Sequence, residues 1–149
     1  MIRLNLPDFK FKTRIADSHL QIFDPVRRKY VALTPEEWVR QHFIRYLNEC
    51  KKVPLSHIAI EKSLQVNHLA KRADIIVFKG GAIPLLAVEC KAPSVEVTEE
   101  VFHQLLRYNM TLKVEYLVVT NGLKHVYCKV DYALQKAVFI EELPLYDRL

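Results

Sequence analysis

Glycine is scarce in this sequence, with only three in 149 residues. With so few, and without any low-complexity run or internal repeat, neither a flexible linker nor a disordered segment is expected. Cysteine is equally scarce. Cys50, Cys90 and Cys128 are an odd number, no two are close in sequence, and no Cys-x-x-Cys occurs. That pattern argues against a disulfide framework. The six histidines are scattered, without the spacing of a zinc site. Long apolar runs are missing: the stretches at 75–78 and 117–119 suit strands and fall far short of a bilayer. Residues 1–7 hold no extended apolar core of the kind a secretory signal needs, so a soluble cytoplasmic protein without membrane contact is expected. There is no Gly-x-Ser-x-Gly elbow, no dinucleotide glycine fingerprint, no Walker Gly-x-x-x-x-Gly-Lys, and no suggestive cysteine–histidine spacing. Neither nucleophilic acyl transfer nor ATP-driven motion is expected of this chain.

What is present fits one globular domain over residues 1–149. Half the residues are hydrophobic and about a quarter are charged, and a chain of this length buries roughly two-thirds of its unfolded surface. The net charge of +5 favours polyanions without proving that one is bound. Small basic groups occur at Lys10/Lys12/Arg14, Arg27/Arg28/Lys29, Lys51/Lys52 and Lys71/Arg72, and each reads by itself as solvated surface.

The first 33 residues read as short strands, beginning with the alternating Phe9-Lys10-Phe11-Lys12, which extend the main sheet or cover one of its edges. A helix should follow. Thr34 is a good N-cap, Pro35 suits the first helical position, and Glu37 completes a Thr-x-x-Glu capping box. Trp38, Val39, His42, Phe43, Tyr46 and Leu47 recur at helical spacing to about Glu49. Then come a strand at 58–64 and a hairpin of two apolar strands, 74–78 and 85–91, joined at Gly80-Gly81. Thr98 caps a second helix, whose apolar stripe is Val101, Leu105, Tyr108 and Leu112. A strand at 116–120, an Asn121-Gly122 turn and a strand at 124–130 follow, with an edge strand at 137–140. The order predicts an α/β (α+β) fold, a central mixed sheet flanked by helices.

The hairpin carries the chemistry. Alternate side chains on a strand share a face, so Glu89 and Lys91 point one way and Cys90 the other. Pairing across the turn brings Asp74 opposite Glu89, or nearly so. Ionised groups in so apolar a setting need a partner or a metal, and hard carboxylate oxygens suit Mg²⁺ or Mn²⁺. The residues alone leave a second reading open, a cross-strand ion pair in which Lys91 neutralises one of the acids. Cys90 reads as core packing.

Arg72-Ala73-Asp74 followed fifteen residues later by Glu89-Cys90-Lys91 resembles the Asp…Glu-x-Lys signature of PD-(D/E)XK nucleases. More narrowly, the chain resembles the N-terminal nuclease domain of type I restriction enzyme R subunits. Three further segments carry that resemblance: Thr34-Pro35-Glu36-Glu37-Trp38-Val39-Arg40-Gln41, Gln104-Leu105-Leu106-Arg107-Tyr108, and Leu117-Val118-Val119-Thr120-Asn121-Gly122. All lie in the family's order within about residues 30 to 130, with a core at about 34–130. Ala73 stands where the signature has proline, a change the class tolerates.

The resemblance implies a restriction-endonuclease-like core and Mg²⁺-dependent (or Mn²⁺-dependent) hydrolysis of DNA. Asp74, Glu89 and the Cys90 backbone carbonyl would hold the metal, and Lys91 would orient the attacking water. Glu37 is a further acid, although its capping-box position gives it a structural role as well, and Glu36 could replace it. Gln104 and Tyr108 share a helix face; Gln104 is the better candidate for touching nucleic acid, and Tyr108 reads as core. Lys71 and Arg72 could hold a phosphate, while His68 and His103 read as surface. Other readings stay open: a DNA-binding or partner-docking module that keeps the fold without cleavage, or a nuclease of RNA or branched DNA. A motor subunit, a specificity subunit or a second copy would be the partners besides DNA.

Overall fold

The computed structural model describes residues 1–66, 69–80, 82–109 and 113–149, with side chains described for all of these except 61–66, 69–72, 105, 108 and 109. It is a mixed α+β fold made mostly of strands. The elements run β1 (Thr13–Ala16), β2 (His19–Asp24), β3 (Lys29–Ala32), α1 (Pro35–Arg45), β4 (Ile58–Val66), β5 (Leu69–Lys79), β6 (Ile83–Cys90), α2 (Glu99–Asn109), β7 (Tyr116–Thr120), β8 (His125–Asp131) and β9 (Lys136–Ile140). A six-stranded sheet has the order β4-β5-β6-β7-β8-β9, antiparallel except for β6 against β7. The crossover through α2 makes that one pair parallel.

β1, β2 and β3 form a separate antiparallel sheet. They do not extend the main sheet, which was one of the two placements expected; the ladder stays within the three strands, and its buried Ile22 and Asp24 face the body of the protein. Nor does a strand begin at Phe9. The Phe11 ring stacks 4.7 Å from His42 and 5.4 Å from Trp38, and Phe9 lies 6.4 Å from Phe11. Both rings cover the aromatic side of α1, so apolar contact with a helix places residues 9–11 where a ladder was expected to.

α1 starts where the sequence places it. The Thr34 hydroxyl accepts from the Glu37 N–H at 3.1 Å. The helix is regular to Arg45 and then widens into a π-helical turn, Tyr46–Cys50, where the Lys51 N–H reaches the Tyr46 carbonyl at 3.2 Å. Val39, Phe43 and Leu47 pack on one face of the sheet against Ile75, Val77, Leu86, Val88 and Cys90. α2 covers the opposite face through Phe102 and Leu106, against Ile76, Ala87, Leu117 and Val119. The expected stripe starts one residue too early. Val101 is only half-buried whereas Phe102 is fully buried, because the larger ring fills the layer; the side chains of Leu105 and Tyr108, and all of Leu112, lie outside the described residues.

Candidate functional site

β5 and β6 place the acids. Their register pairs Ile75 with Val88 and Ile76 with Ala87, so one step further Asp74 faces Glu89. β7 lies parallel on the other side of β6, with Glu89 beside Val119 and Cys90 beside Thr120, and the Lys91 N–H donates to the Thr120 carbonyl at 2.8 Å. Since β7 is buried along its whole length, β6 ends held between two neighbours. That fixes the Glu89-Cys90-Lys91 backbone on a rigid strand end.

Asp74 is held from two directions. Its Oδ2 accepts from the Cys90 N–H at 2.7 Å, and its Oδ1 accepts from Arg40 Nη2 at 3.2 Å. Burial pushes the Glu89 carboxyl up to about 8; the Asp74 charge and a hydrogen bond between the two carboxyl groups add to the rise, while Lys91 opposes it. Glu89 therefore keeps its proton at neutral pH. The Cys90 thiol faces the α1 side and is fully buried, and burial pushes it far above its usual range, as core packing requires.

Arg40 joins the acids to α1. Its Nη2 also donates to Glu36 Oε1 at 3.1 Å, and its Nη1 pairs with Glu37. Glu37 is buried at 4% exposure and pairs on its other oxygen with Arg27. Gln41 Nε2 donates to that same oxygen at 3.2 Å. Arg27 in turn donates through Nε to the fully buried Asp24 at 2.5 Å. The result is a continuous ionic chain: Asp24, Arg27, Glu37, Arg40, Asp74.

The family model for the type I restriction enzyme R protein N terminus (HSDR_N) matches residues 35–144, from the first residue of α1 to just past β9. The chain belongs to this family. No curated protein matches the sequence. A solved fragment assigned to the HsdR subunit of a type I restriction enzyme from Vibrio vulnificus YJ016 is similar at 22% identity with a TM-score of 0.42. That match covers 61% of this chain and 20% of the solved one, so the chain spans about a fifth of that relative's length.

Within this R-protein N-terminal domain, the structure brings together Asp74, Glu89 and Lys91, with Glu36 reaching Asp74 through one guanidinium nitrogen. The Glu37 N–H donates the cap bond to the Thr34 hydroxyl, yet the Glu37 carboxylate turns to the arginines instead of back to Thr34. It sits one residue removed from the acids. α2 presents Gln104 to solvent. The side chains of Lys71, Arg72 and Tyr108, and all of His68, lie outside the described residues. His103 is exposed, 3.4 Å from Glu99. Sequence reasoning missed Arg40, Arg27 and Asp24. Arg40 left one signal, since it stands four residues after Glu36 and three after Glu37, the spacing of helical ion pairs. Among the described residues, no group of three His, Cys, Asp or Glu side chains stands close enough to enclose a metal, and no helix is long and apolar enough to cross a membrane.

Proposed function

We propose that this chain is the nuclease domain of a restriction system, hydrolysing DNA phosphodiesters with Mg²⁺ or Mn²⁺. The observation that carries the reading is the Asp74–Glu89 pair, two carboxyl groups in hydrogen-bond contact at the end of adjacent buried strands, with Lys91 beside them. The donor set suits the ion. Mg²⁺ keeps several waters and commonly takes one or two carboxylates, so two acids and the Cys90 carbonyl suffice without a third enclosing side chain. When bound, the ion supplies Lewis-acid polarisation of the phosphodiester and a more acidic water.

Asp74 and Glu89 would hold the ion through hard oxygens, after Glu89 gives up the proton it carries at neutral pH. The Cys90 N–H and Arg40 keep Asp74 oriented from opposite sides. Lys91 would orient the attacking water and offset the charge that grows on phosphorus. Its compact ammonium fits beside a crowded acid pair better than a planar guanidinium would.

One observation favours a second reading. Arg40 already pairs with Asp74 and Glu36, so the cluster could persist as an ion network inside a DNA-binding or partner-docking module. Titration of Mg²⁺ and Mn²⁺ by calorimetry, with plasmid nicking on the same samples, separates the two. The nuclease reading expects the wild type to bind metal and nick DNA, and Asp74→Asn to do neither. A wild type that binds no metal and leaves DNA intact would establish the docking module instead. In either case DNA and the motor and specificity components of a restriction complex are the proposed partners.

A further inference from the structure

The matched family segment begins at residue 35, which leaves β1–β3 outside it. That small sheet has two unlike faces. Ile22 and Asp24 point inward and are fully buried. The outward face carries Lys12, Arg14, His19, Gln21, Phe23 and Tyr30, none of them buried. Lys12 continues the ladder, its carbonyl accepting from the Phe23 N–H at 2.8 Å, and its ammonium lies 5.8 Å from the Phe23 ring centre. The Arg14 guanidinium lies 4.0 Å from the Tyr30 ring centre and donates to Gln21 Oε1 at 2.8 Å. Phe23 and Tyr30 pack edge to face beneath these cations, with ring centres 5.3 Å apart. No acid shares this face: Asp24 is on the other side under Arg27, and Asp17 sits in the β1–β2 turn.

The segment around this face is basic, and Lys12 and Arg14 are the cations it places on the face. Residues 9–33 hold six Lys and Arg against two Asp, which places four of the chain's five net positive charges in 25 residues. Cations stacked on aromatic rings stay extended and ordered, so less freedom is lost when they meet phosphate oxygens. The same strands reach the acid pair, because Asp24 and Arg27 at the β2–β3 turn lead through Glu37 and Arg40 to Asp74.

We propose that the outward face of β1–β3 is a docking surface for the phosphate backbone of duplex DNA, with Lys12 and Arg14 as the phosphate-binding side chains. The assignment rests on the nuclease reading for its choice of DNA, and it places substrate binding on a part of the chain that the family segment does not include. Backbone contacts of this kind set position and salt dependence without reading sequence.

Fluorescence anisotropy of a labelled duplex tests it, with EDTA present and salt varied, on wild type and on the Lys12→Gln/Arg14→Gln double variant. Each phosphate contact contributes about 0.9 to the slope of log affinity against log salt, so the double variant should lose a slope of about 2. Gln21→Glu is nearly isosteric, keeps the bond from Arg14 and sets an acid beneath it; a slope loss of about 1 is expected. The conservative Lys12→Arg/Arg14→Lys pair should keep the wild-type slope. Melting temperatures check that each variant is folded, and Gln21→Glu carries the test if the double variant is not. An unchanged slope in both overturns the proposal, as does a wild type that fails to bind. Tighter binding of an RNA duplex, or equal displacement by polyglutamate, overturns it too. Because the assay needs no cleavage, the two readings fail separately. A wild type that never nicks DNA, yet loses its slope in the variants, overturns the nuclease reading and leaves this surface standing. Normal cleavage with an unchanged slope in the variants does the reverse.

Discussion

Glu89→Gln in the metal-free protein removes a carboxyl whose ionisation the fold opposes. In the folded chain Glu89 keeps its proton to about pH 8, against an ordinary value of 4.5, chiefly because it is buried and secondarily because Asp74 is charged beside it. Between those two values the folded state holds a proton that the unfolded state has released. Stability must then fall as pH rises, by at most about 1.4 kcal/mol per pH unit for one proton. Solvent still reaches part of the carboxyl, so the expected loss from about pH 5.5 to about pH 8.5 is about 2–3 kcal/mol. The Glu89→Gln variant carries no titratable proton at this position and should lack the decline. His42 and His125 act in the opposite direction: burial lowers both, so the unfolded chain takes their protons first and stability falls as pH drops below 6.5. That acid limb belongs to both proteins and cancels in the difference. Urea unfolding with EDTA at several pH values measures it. Wild-type and variant stability curves that run parallel through the alkaline limb would refute a proton held on Glu89.

Two further substitutions probe the frame around the site. Arg40→Gln leaves Glu36, Glu37 and Asp74 without their shared guanidinium, so the metal-free protein should lose about 3–5 kcal/mol in urea unfolding. Mn²⁺ should then raise its melting temperature more than it raises that of the wild type, and an equal or smaller rise would speak against an exchange of one cation for another. Gly122→Ala should destabilise by about 1–3 kcal/mol, because φ is +85° and the new Cβ would lie 2.7 Å from a Leu4 methyl and 3.1 Å from Val39. The damage should appear first as faster proteolysis of the N-terminal segment, which Gly122 anchors through the Asn5 N–H; an unaltered digestion rate would contradict that placement.

The sequence was readable where local rules and pairing geometry agree. Two apolar runs, 74–78 and 85–91, on either side of Gly80-Gly81 mark the hairpin, and with it the approach of Asp74 to Glu89. Thr34 and Thr98 cap helices as their types predict. The Asn121-Gly122 turn forms, although nothing in the dipeptide announces that the Asn121 amide also donates to the Val95 carbonyl and pins the loop after Lys91. Periodicity reports that a residue is buried; it does not report what meets it. Phe9 and Phe11 alternate like a strand and instead roof α1. Arg27, in a turn, meets Glu37 on a helix ten residues later, a contact that depends on how the small sheet docks. Asp24 reads as a turn former, and it does accept from the Val26 and Arg27 N–H groups, but its burial beneath Arg27 is a tertiary result.

The charge inventory of that tertiary network bears on the metal. Asp24, Glu36, Glu37, Asp74 and Glu89 are five carboxyl groups linked in one cluster, and Arg27, Arg40 and Lys91 are its cations. With every acid ionised the cluster would carry an excess of two negative charges, the charge one divalent ion neutralises. Without the ion, the excess falls to one when Glu89 retains its proton, and Arg40 spreads what remains over three carboxylates. Glu36 is half exposed and solvent screens it, so the unmatched acid inside the cluster is one that would cost several kcal/mol to bury ionised and unpaired. The mismatch falls on Glu89, the acid paired with Asp74 and within the field of Lys91, which is where the proposed chemistry needs a ligand that a proton can vacate.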